Sequence, residues 1–311
     1  MKKIFIDGNA GTTGLRINER LKDRSDVELM TLPDEYRKDP AARKEMLNSC
    51  DIAFLCLPDD AARESVSLIE NPAVRVLDTS TAHRTNPEWA YGFPELSASH
   101  REKILGSNRI AVPGCHASGF IALVYPLIES GLISPDTLLT CHSLTGYSGG
   151  GKKMIAEYES GERDNALNSP RQYGLTQEHK HLKEMKAITG IENAPAFCPI
   201  VADYYSGMLV TVPIFSQYLK NNAGIDDIRK IYFDKYKGKV VQYKVGADEN
   251  GFICSNKLSF NDTMEIYVGG NSERILLMAR YDNLGKGASG AAIQNLNLIM
   301  GTDETTGLVT D

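Results

Sequence analysis

The sequence predicts an α/β protein of two domains, a doubly wound parallel sheet followed by an α+β domain with a mixed sheet. Three observations carry this. Over residues 1 to about 115, apolar runs of strand length alternate with segments of helical spacing, the pattern of βαβ units. A glycine-rich turn, Gly8-Asn9-Ala10-Gly11-Thr12-Thr13-Gly14, stands directly after the first run. From about residue 120 the strands show more alternation, as in a mixed or antiparallel sheet.

The elements follow in order. Lys3–Ile6 is the first strand and Leu15–Leu21 a helix. Val27–Leu32 reads as the second strand, with Ala41–Cys50 as the helix behind it. Asp51–Leu57, closed by Pro58, and Val74–Leu77 are continuous apolar runs, as expected of central strands buried on both faces. In the second domain, Phe120–Ile128 reads as a helix beginning just after Gly119. Leu138–Leu144, Gly207–Phe215 and Lys239–Lys244 read as strands. Met264–Gly269 and Ile275–Tyr281, joined by Gly269-Gly270-Asn271-Ser272, form a hairpin pattern. The polar stretch Tyr147–Glu192 is too long for a mere connection and reads as functional. Gly287–Met300 has helical periodicity and few charges, as in a buried helix. The boundaries are set at 1–115 and 116–284, with the segment from about 285 as a closing helix.

Bulk composition narrows the function. At 311 residues, 42% hydrophobic and 24% charged, the chain has the profile of a soluble globular protein able to bury a core without disulfides or metal. Its net charge of −6 and lack of any Lys/Arg run argue against a nucleic-acid partner. No stretch nears the roughly 20 apolar residues of a membrane span, and the start offers no signal-peptide pattern, so a cytoplasmic protein is expected. Six cysteines without CxxC spacing or neighbouring histidine pairs give no support for a metal and read as free thiols.

Two features carry chemistry. Glycines between a strand and a helix let the backbone approach a pyrophosphate and aim helix N-terminal N–H groups at it. Residues 8 to 14 therefore form a candidate dinucleotide site. Beyond the second strand stand Asp34 and Glu35 but also Arg37 and Lys38, so spacing leaves NAD against NADP open. The second feature is Cys115, in Val112-Pro113-Gly114-Cys115-His116-Ala117-Ser118-Gly119 before an apolar helix. The positive end of a helix favours a thiolate, and the flanking glycines leave room for a carbonyl. Cys50, Cys56 and Cys198 read as ordinary buried thiols. His179 and His181 lie two residues apart in the long polar segment, with Glu184 beyond them. One imidazole could serve the thiol while the carboxylate fixes its tautomer.

Taken together, these segments resemble the N-acetyl-γ-glutamyl-phosphate reductases, in the shorter of two forms, and more distantly the aspartate-semialdehyde dehydrogenases. The resemblance runs nearly end to end. It rests on the glycine loop, Cys56-Leu57-Pro58, Asp78-Thr79-Ser80-Thr81-Ala82-His83-Arg84 and Tyr91-Gly92-Phe93-Pro94-Glu95-Leu96. It continues through Pro113-Gly114-Cys115, Ser148-Gly149-Gly150-Gly151-Lys152, His179-Lys180-His181-Leu182-Lys183-Glu184 and Asn283-Leu284-Gly285-Lys286-Gly287-Ala288-Ser289-Gly290.

The family implies a Rossmann-type domain for NADP, a catalytic and oligomerisation domain forming a homo-oligomer (dimer or tetramer), and a last helix returning to the first domain. It implies Cys115 as nucleophile, His179 or His181 as acid–base, and Arg84 on the phosphate. Pro58, Ser80, Asn283 and Gly287 fall with the cofactor. Tyr147, Ser148, Lys152 and the Arg171–Tyr173 stretch are substrate candidates by location. His116 departs from the longer form, which commonly has tyrosine there, and the glycine loop reads GNAGTTG rather than GASGYTG.

The implied reaction takes a small acyl phosphate through a Cys115 thioester to an aldehyde. The rivals are the aspartate-semialdehyde and carrier-linked versions of that chemistry, and a non-catalytic NADP-sensing protein in which Cys115 would be an ordinary thiol of pKa near 8.5.

Overall fold

A computed structural model describes residues 1–310 of the chain. These form two compact units, Met1–Pro113 with Ala288–Leu308, and Gly114–Gly287 with the chain end from Val309.

The first unit is a parallel sheet wound on both faces. Its elements are β1 (Lys2–Asp7), α1 (Thr12–Leu21), β2 (Val27–Met30), α2 (Pro40–Ser49), β3 (Ile52–Leu55), α3 (Asp59–Leu68), β4 (Arg75–Asp78), β5 (Ala90–Tyr91), α4 (Ala98–Gly106) and β6 (Arg109–Ala111). The strand order is β2-β1-β3-β4-β6-β5, every pairing parallel. The order reverses at β1. The crevice beyond the carboxyl ends of β1 and β3 is thus the place where such sheets hold ligands. The continuous apolar runs of β3 and β4 have the physical cause foreseen: Ala53, Phe54, Leu55, Val76 and Leu77 are all fully buried.

The second unit opens with α5 (Cys115–Glu129). It continues with β7 (Thr140–Gly146), α6 (Gly151–Glu159), β8 (Arg171–Gln172), α7 (His181–Thr189), β9 (Ala196–Ala202), β10 (Met208–Phe215), α8 (Ile225–Lys235), β11 (Val241–Tyr243), β12 (Met264–Gly270) and β13 (Arg274–Tyr281). The seven strands run in the order β11-β12-β13-β10-β7-β9-β8. The β7–β9 and β11–β12 pairs are parallel and the others antiparallel. Along β10, Met208, Val210, Val212 and Ile214 are buried while the alternate residues are not. The buried face carries α5, whose residues Phe120 to Val124 are wholly buried. The other face presents Phe215 and Leu276 to solvent.

After β13 a π-helical turn, Gly285–Ser289, leads to α9 (Gly290–Met300). α9 packs into the first unit: Ala291, Ile293 and Leu296 join Ile4, Ile17 and Leu21 in one core cluster. The opposite face of that sheet is filled by Leu47, Ala62, Val74 and Trp89 among others.

Several expectations needed correction. The helix read from Phe120 begins five residues earlier, at Cys115, because Gly114 takes the extended capping conformation and the glycine at 119 does not break the helix. The division between units falls at Pro113–Gly114, so Cys115 belongs to the second unit. The segment Tyr147–Glu192, read as more than a connection, holds α6, β8 and α7. β5 and β6 escaped notice because two and three residues are too few for a period to show.

Candidate active site

In the first unit, the glycine loop turns from β1 into α1. Gly8 has φ +92°, and a Cβ there would stand 2.3 Å from the Cys56 carbonyl oxygen; one on Gly14 would stand 2.5 Å from that of Gly8. The loop thus requires glycine to bring backbone and helix N-terminus into the crevice. Gly11 caps α1 with no side-chain bond. Thr12 Oγ1 is buried and has no hydrogen-bond partner. A donor left unpaired among helix N-terminal N–H groups suits an incoming phosphate oxygen. Beside the loop lies a cavity of about 590 Å³, reached by Gly8, Asn9, Ala10, Asp34, Arg37 and Lys38.

The other side chains of this unit are held in a braced loop after β4. Buried Asp78 accepts from Ser80 N (2.9 Å) and Ser80 Oγ (2.8 Å), and pairs with His83 Nδ1 at 2.7 Å. His83 stacks on Trp89. Arg84 donates from Nε to the Val112 carbonyl and from Nη2 to that of Thr79, both at 2.8 Å. These bonds fix its guanidinium plane and tie the loop to the strand end just before Pro113. Pro58 caps α3.

In the second unit, Cys115 is the first residue of α5, half-buried. The helix's first turn is unusual. Tyr281, at the end of β13, accepts from Gly119 N (3.0 Å) and donates to the Cys115 carbonyl (2.6 Å). The hydroxyl is inserted where an i→i−4 helical bond would otherwise close. Gly119 is required for this: a Cβ would stand 2.7 Å from that hydroxyl and 2.6 Å from Val210 Cγ2. Gly287 packs on the other side, where a Cβ would meet that of Cys115 at 3.1 Å.

Three imidazoles gather around the residue that follows Cys115. His116, His179 and His181 have ring centroids 4.8 to 5.8 Å apart, with Phe197 edge-on to two of them. His181 opens α7 and is buried, while His179 precedes it, partly exposed. His179 Nδ1 accepts from the His181 backbone N–H at 3.2 Å, so its neutral ring carries the proton on Nε2. Burial, and next the charge of Lys180, hold His179 below the usual histidine range. Burial, reinforced by His179, pushes His116 down to about 3. Among the described residues no His/Cys/Asp/Glu group suits a metal ion.

Glu184 also reaches the nucleophile candidate's helix. The bond the structure shows runs from Gly114 N–H to Glu184 Oε1, 2.8 Å, so this buried carboxylate anchors the cap of α5. Asn283 donates from Nδ2 to Ser148 Oγ (2.9 Å) and accepts from Gly207 N–H (2.9 Å). Ser148 is therefore buried in a polar bridge, and Lys152 is exposed on α6. Of the cysteines read as ordinary buried thiols, Cys50 is buried while Cys56 and Cys198 are partly exposed; desolvation pushes Cys50 up to about 11 and Cys56 to about 12.

Sequence reasoning missed Ser143 and Tyr281, and gave His116 no role. A signal existed for Ser143. Its register on β7 points inward, between Cys141 and Thr145, and a serine on an inward face announces a hydrogen-bond partner. That partner is His116 Nδ1, at 2.7 Å.

Comparison with known proteins agrees with this architecture. Residues 3–104 match the family model for the semialdehyde dehydrogenase NAD binding domain, and residues 115–283 the one for the semialdehyde dehydrogenase dimerisation domain. The chain is 44% identical to N-acetyl-gamma-glutamyl-phosphate reductase 2 of Nostoc sp., over 98% of this chain and 99% of that one. It is 46% identical to N-acetyl-gamma-glutamyl-phosphate reductase of Chelativorans sp., over 96% and 98%. Aspartate semialdehyde dehydrogenase II from Vibrio cholerae shares the fold, with a TM-score of 0.71 at 14% identity over 97% of this chain and 98% of that one. The chain belongs to the N-acetyl-γ-glutamyl-phosphate reductase family of the semialdehyde dehydrogenases.

Proposed function

We propose that this protein reduces N-acetyl-γ-glutamyl phosphate to N-acetylglutamate 5-semialdehyde and phosphate, with NADPH, in arginine biosynthesis. The observation that carries the reading is Cys115 at the N-terminus of α5 beside a cluster of imidazoles. The names of the full-length relatives supply the substrate.

The positive end of α5 favours the Cys115 thiolate. That sulfur attacks the γ-carbonyl carbon; the C–S bond forms and the bond to phosphate breaks, leaving a thioester. A nicotinamide, when held in the site, would supply the hydride that the thioester carbon accepts. The resulting oxyanion collapses, the C–S bond breaks, and the aldehyde leaves with the thiolate restored. His179 acts on the acyl oxygen through Nε2–H, as a hydrogen-bond donor that strengthens as charge develops there. His181 completes the acid–base pair. Glu184 holds the cap of the nucleophile's helix.

The glycine loop, residues 8 to 14, would hold the pyrophosphate, with Thr12 Oγ1 as a further donor. Pro58, Ser80, Asn283 and Gly287 are assigned to the cofactor through the family resemblance. The adjoining cavity is lined by Arg37 and Lys38 but also by Asp34 and Glu35, with Arg37 paired to Asp34, so NADP over NAD is assigned through the family resemblance. Arg84, with its guanidinium plane already fixed, is assigned to the substrate phosphate, and Ser148 and Lys152 to the substrate's remaining groups. The open sheet face bearing Phe215 and Leu276 supports a homo-oligomer formed through the second unit. No helix among the described residues is long and apolar enough to cross a membrane, and free thiols suit a reducing compartment, which supports the cytoplasm.

The test is the phosphorylating direction: N-acetylglutamate semialdehyde, phosphate and NADP, with NADPH formation followed by absorbance. A phosphate-dependent signal with this semialdehyde, and none with aspartate semialdehyde, supports the reading. The reverse pattern overturns the substrate. In the same assay His179→Ala is expected to lower kcat about 10²- to 10³-fold, the usual loss for one oxyanion donor, with NADP affinity retained. An unchanged kcat would remove His179 from the reacting centre.

A further inference from the structure

A buried hydrogen-bonded chain next to the nucleophile is not used by the mechanism above. Ser143 Oγ lies 2.7 Å from His116 Nδ1, and His116 Nε2 lies 2.6 Å from the Tyr173 hydroxyl. Ser143 is fully buried and His116 nearly so. His116 follows Cys115 directly in α5, so the nucleophile's own backbone carries the middle member. Tyr173 follows β8, and its ring stands edge-on to those of His116 and His179 at 6.1 Å. Its phenol is raised far above the ordinary range, by burial first and by the Cys115 charge second. Tyr173 therefore keeps its proton and feels charge at the reacting sulfur.

A neutral imidazole donates from one nitrogen and accepts at the other, which leaves two arrangements of this chain. In one, Tyr173 donates to Nε2 and its proton is engaged. In the other, Ser143 donates to Nδ1, Nε2–H donates to the Tyr173 oxygen, and the phenol proton is available to a third partner. Donors in series polarise one another, so the second arrangement makes Tyr173 a stronger donor.

We propose that Tyr173 donates a second hydrogen bond to the acyl oxygen of the Cys115-bound substrate, with His116 and Ser143 as positioning residues that hold the phenol proton toward it. This rests on the acyl-transfer reading of the site. The bond is a hydrogen bond throughout: no proton leaves Tyr173, and the oxyanion still collapses by breaking C–S. His116, at the place where the longer form of the family commonly has tyrosine, has a function in this chain that does not require it to titrate.

The experiment is phosphorylating-direction kinetics of wild type, Tyr173→Phe, His116→Phe, His116→Gln and the Tyr173→Phe/His116→Phe pair. Alongside it, the rate of Cys115 alkylation by iodoacetamide is followed by mass spectrometry. Tyr173→Phe is expected to lower kcat about 10- to 100-fold, at or below the usual range for one donor, with KM within about threefold and alkylation within about twofold. His116→Phe should lose as much, the double variant no more than either single, and His116→Gln, which keeps an N–H donor, should recover most of the rate. Multiplicative losses, a Tyr173→Phe kcat above half of wild type, or a matching fall in alkylation would each overturn the proposal. Wild type inactive on the semialdehyde would overturn the underlying reading and the proposal with it. Active wild type with active Tyr173→Phe overturns the proposal alone.

Discussion

Cys115→Ser is expected to reduce turnover by at least about 10⁴-fold, the scale seen when a covalent nucleophile is removed, and to leave NADP affinity within about twofold. A serine hydroxyl remains protonated where a thiol at a helix N-terminus ionises, and the helix dipole is too weak to close that gap. An ester on serine would also be a poorer hydride acceptor than a thioester and would hold a worse leaving group. The cofactor loop is built from β1 and α1 of the first unit, and Cys115 takes no part in it. The measurement pairs the phosphate-dependent assay with calorimetric titration of NADP. Cys50→Ser and Cys56→Ser are controls, because those thiols, pushed up to about 11 and about 12, hold almost no thiolate at neutral pH. Retained turnover in Cys115→Ser would end the thioester mechanism. Loss of both turnover and NADP binding would show that the substitution damages more than the nucleophile.

The second large effect is on stability in acid. His116 is neutral in the folded protein because burial pushes it down to about 3, whereas in the unfolded chain it titrates near 6.5. Between those values the unfolded state binds a proton that the folded state refuses. Stability is therefore full above about pH 6.5 and declines as pH falls toward 3, by about 1.4 kcal/mol per pH unit for this one group. His179, also held low, adds to the slope in the same sense. Chemical denaturation at intervals from pH 7.5 to 5, above the range where carboxylates dominate, measures it. His116→Phe is expected to start lower, because the hydroxyls of Ser143 and Tyr173 lose a partner at about 1 to 3 kcal/mol each. It should then fall less steeply, by close to one proton. A slope identical to wild type would mean that His116 is protonated in the folded protein, contrary to its burial.

Much of this protein was written in short-range pattern. The strand–glycine loop–helix unit at residues 2 to 21 is legible because each part is local: an apolar run, glycines at a tight turn that opens with Gly8 at positive φ, and a helical period. The β12–β13 hairpin is legible for the same reason. Cys115 stood out from the other cysteines because its flanks form a turn, and Gly114 does cap its helix. The His179–His181 pair was visible as two imidazoles close in sequence.

What the sequence by itself determined, then, is the class of fold and the place of the two segments that carry the candidate chemistry, with Cys115 the nucleophile the reading proposes. Tertiary structure alone decided how those residues divide their work. Glu184, read as the carboxylate behind an imidazole, accepts a hydrogen bond from an amide 70 positions away in the chain. His116 found Ser143 and Tyr173, 27 and 57 positions away. Tyr281 entered the first turn of a helix 162 residues upstream of it. The reason is physical. Periodicity and turn chemistry act over a few residues, so they fix elements. Hydrogen bonds between buried side chains depend on which elements the sheet brings side by side, and a buried polar atom takes whatever partner that register places within 3 Å.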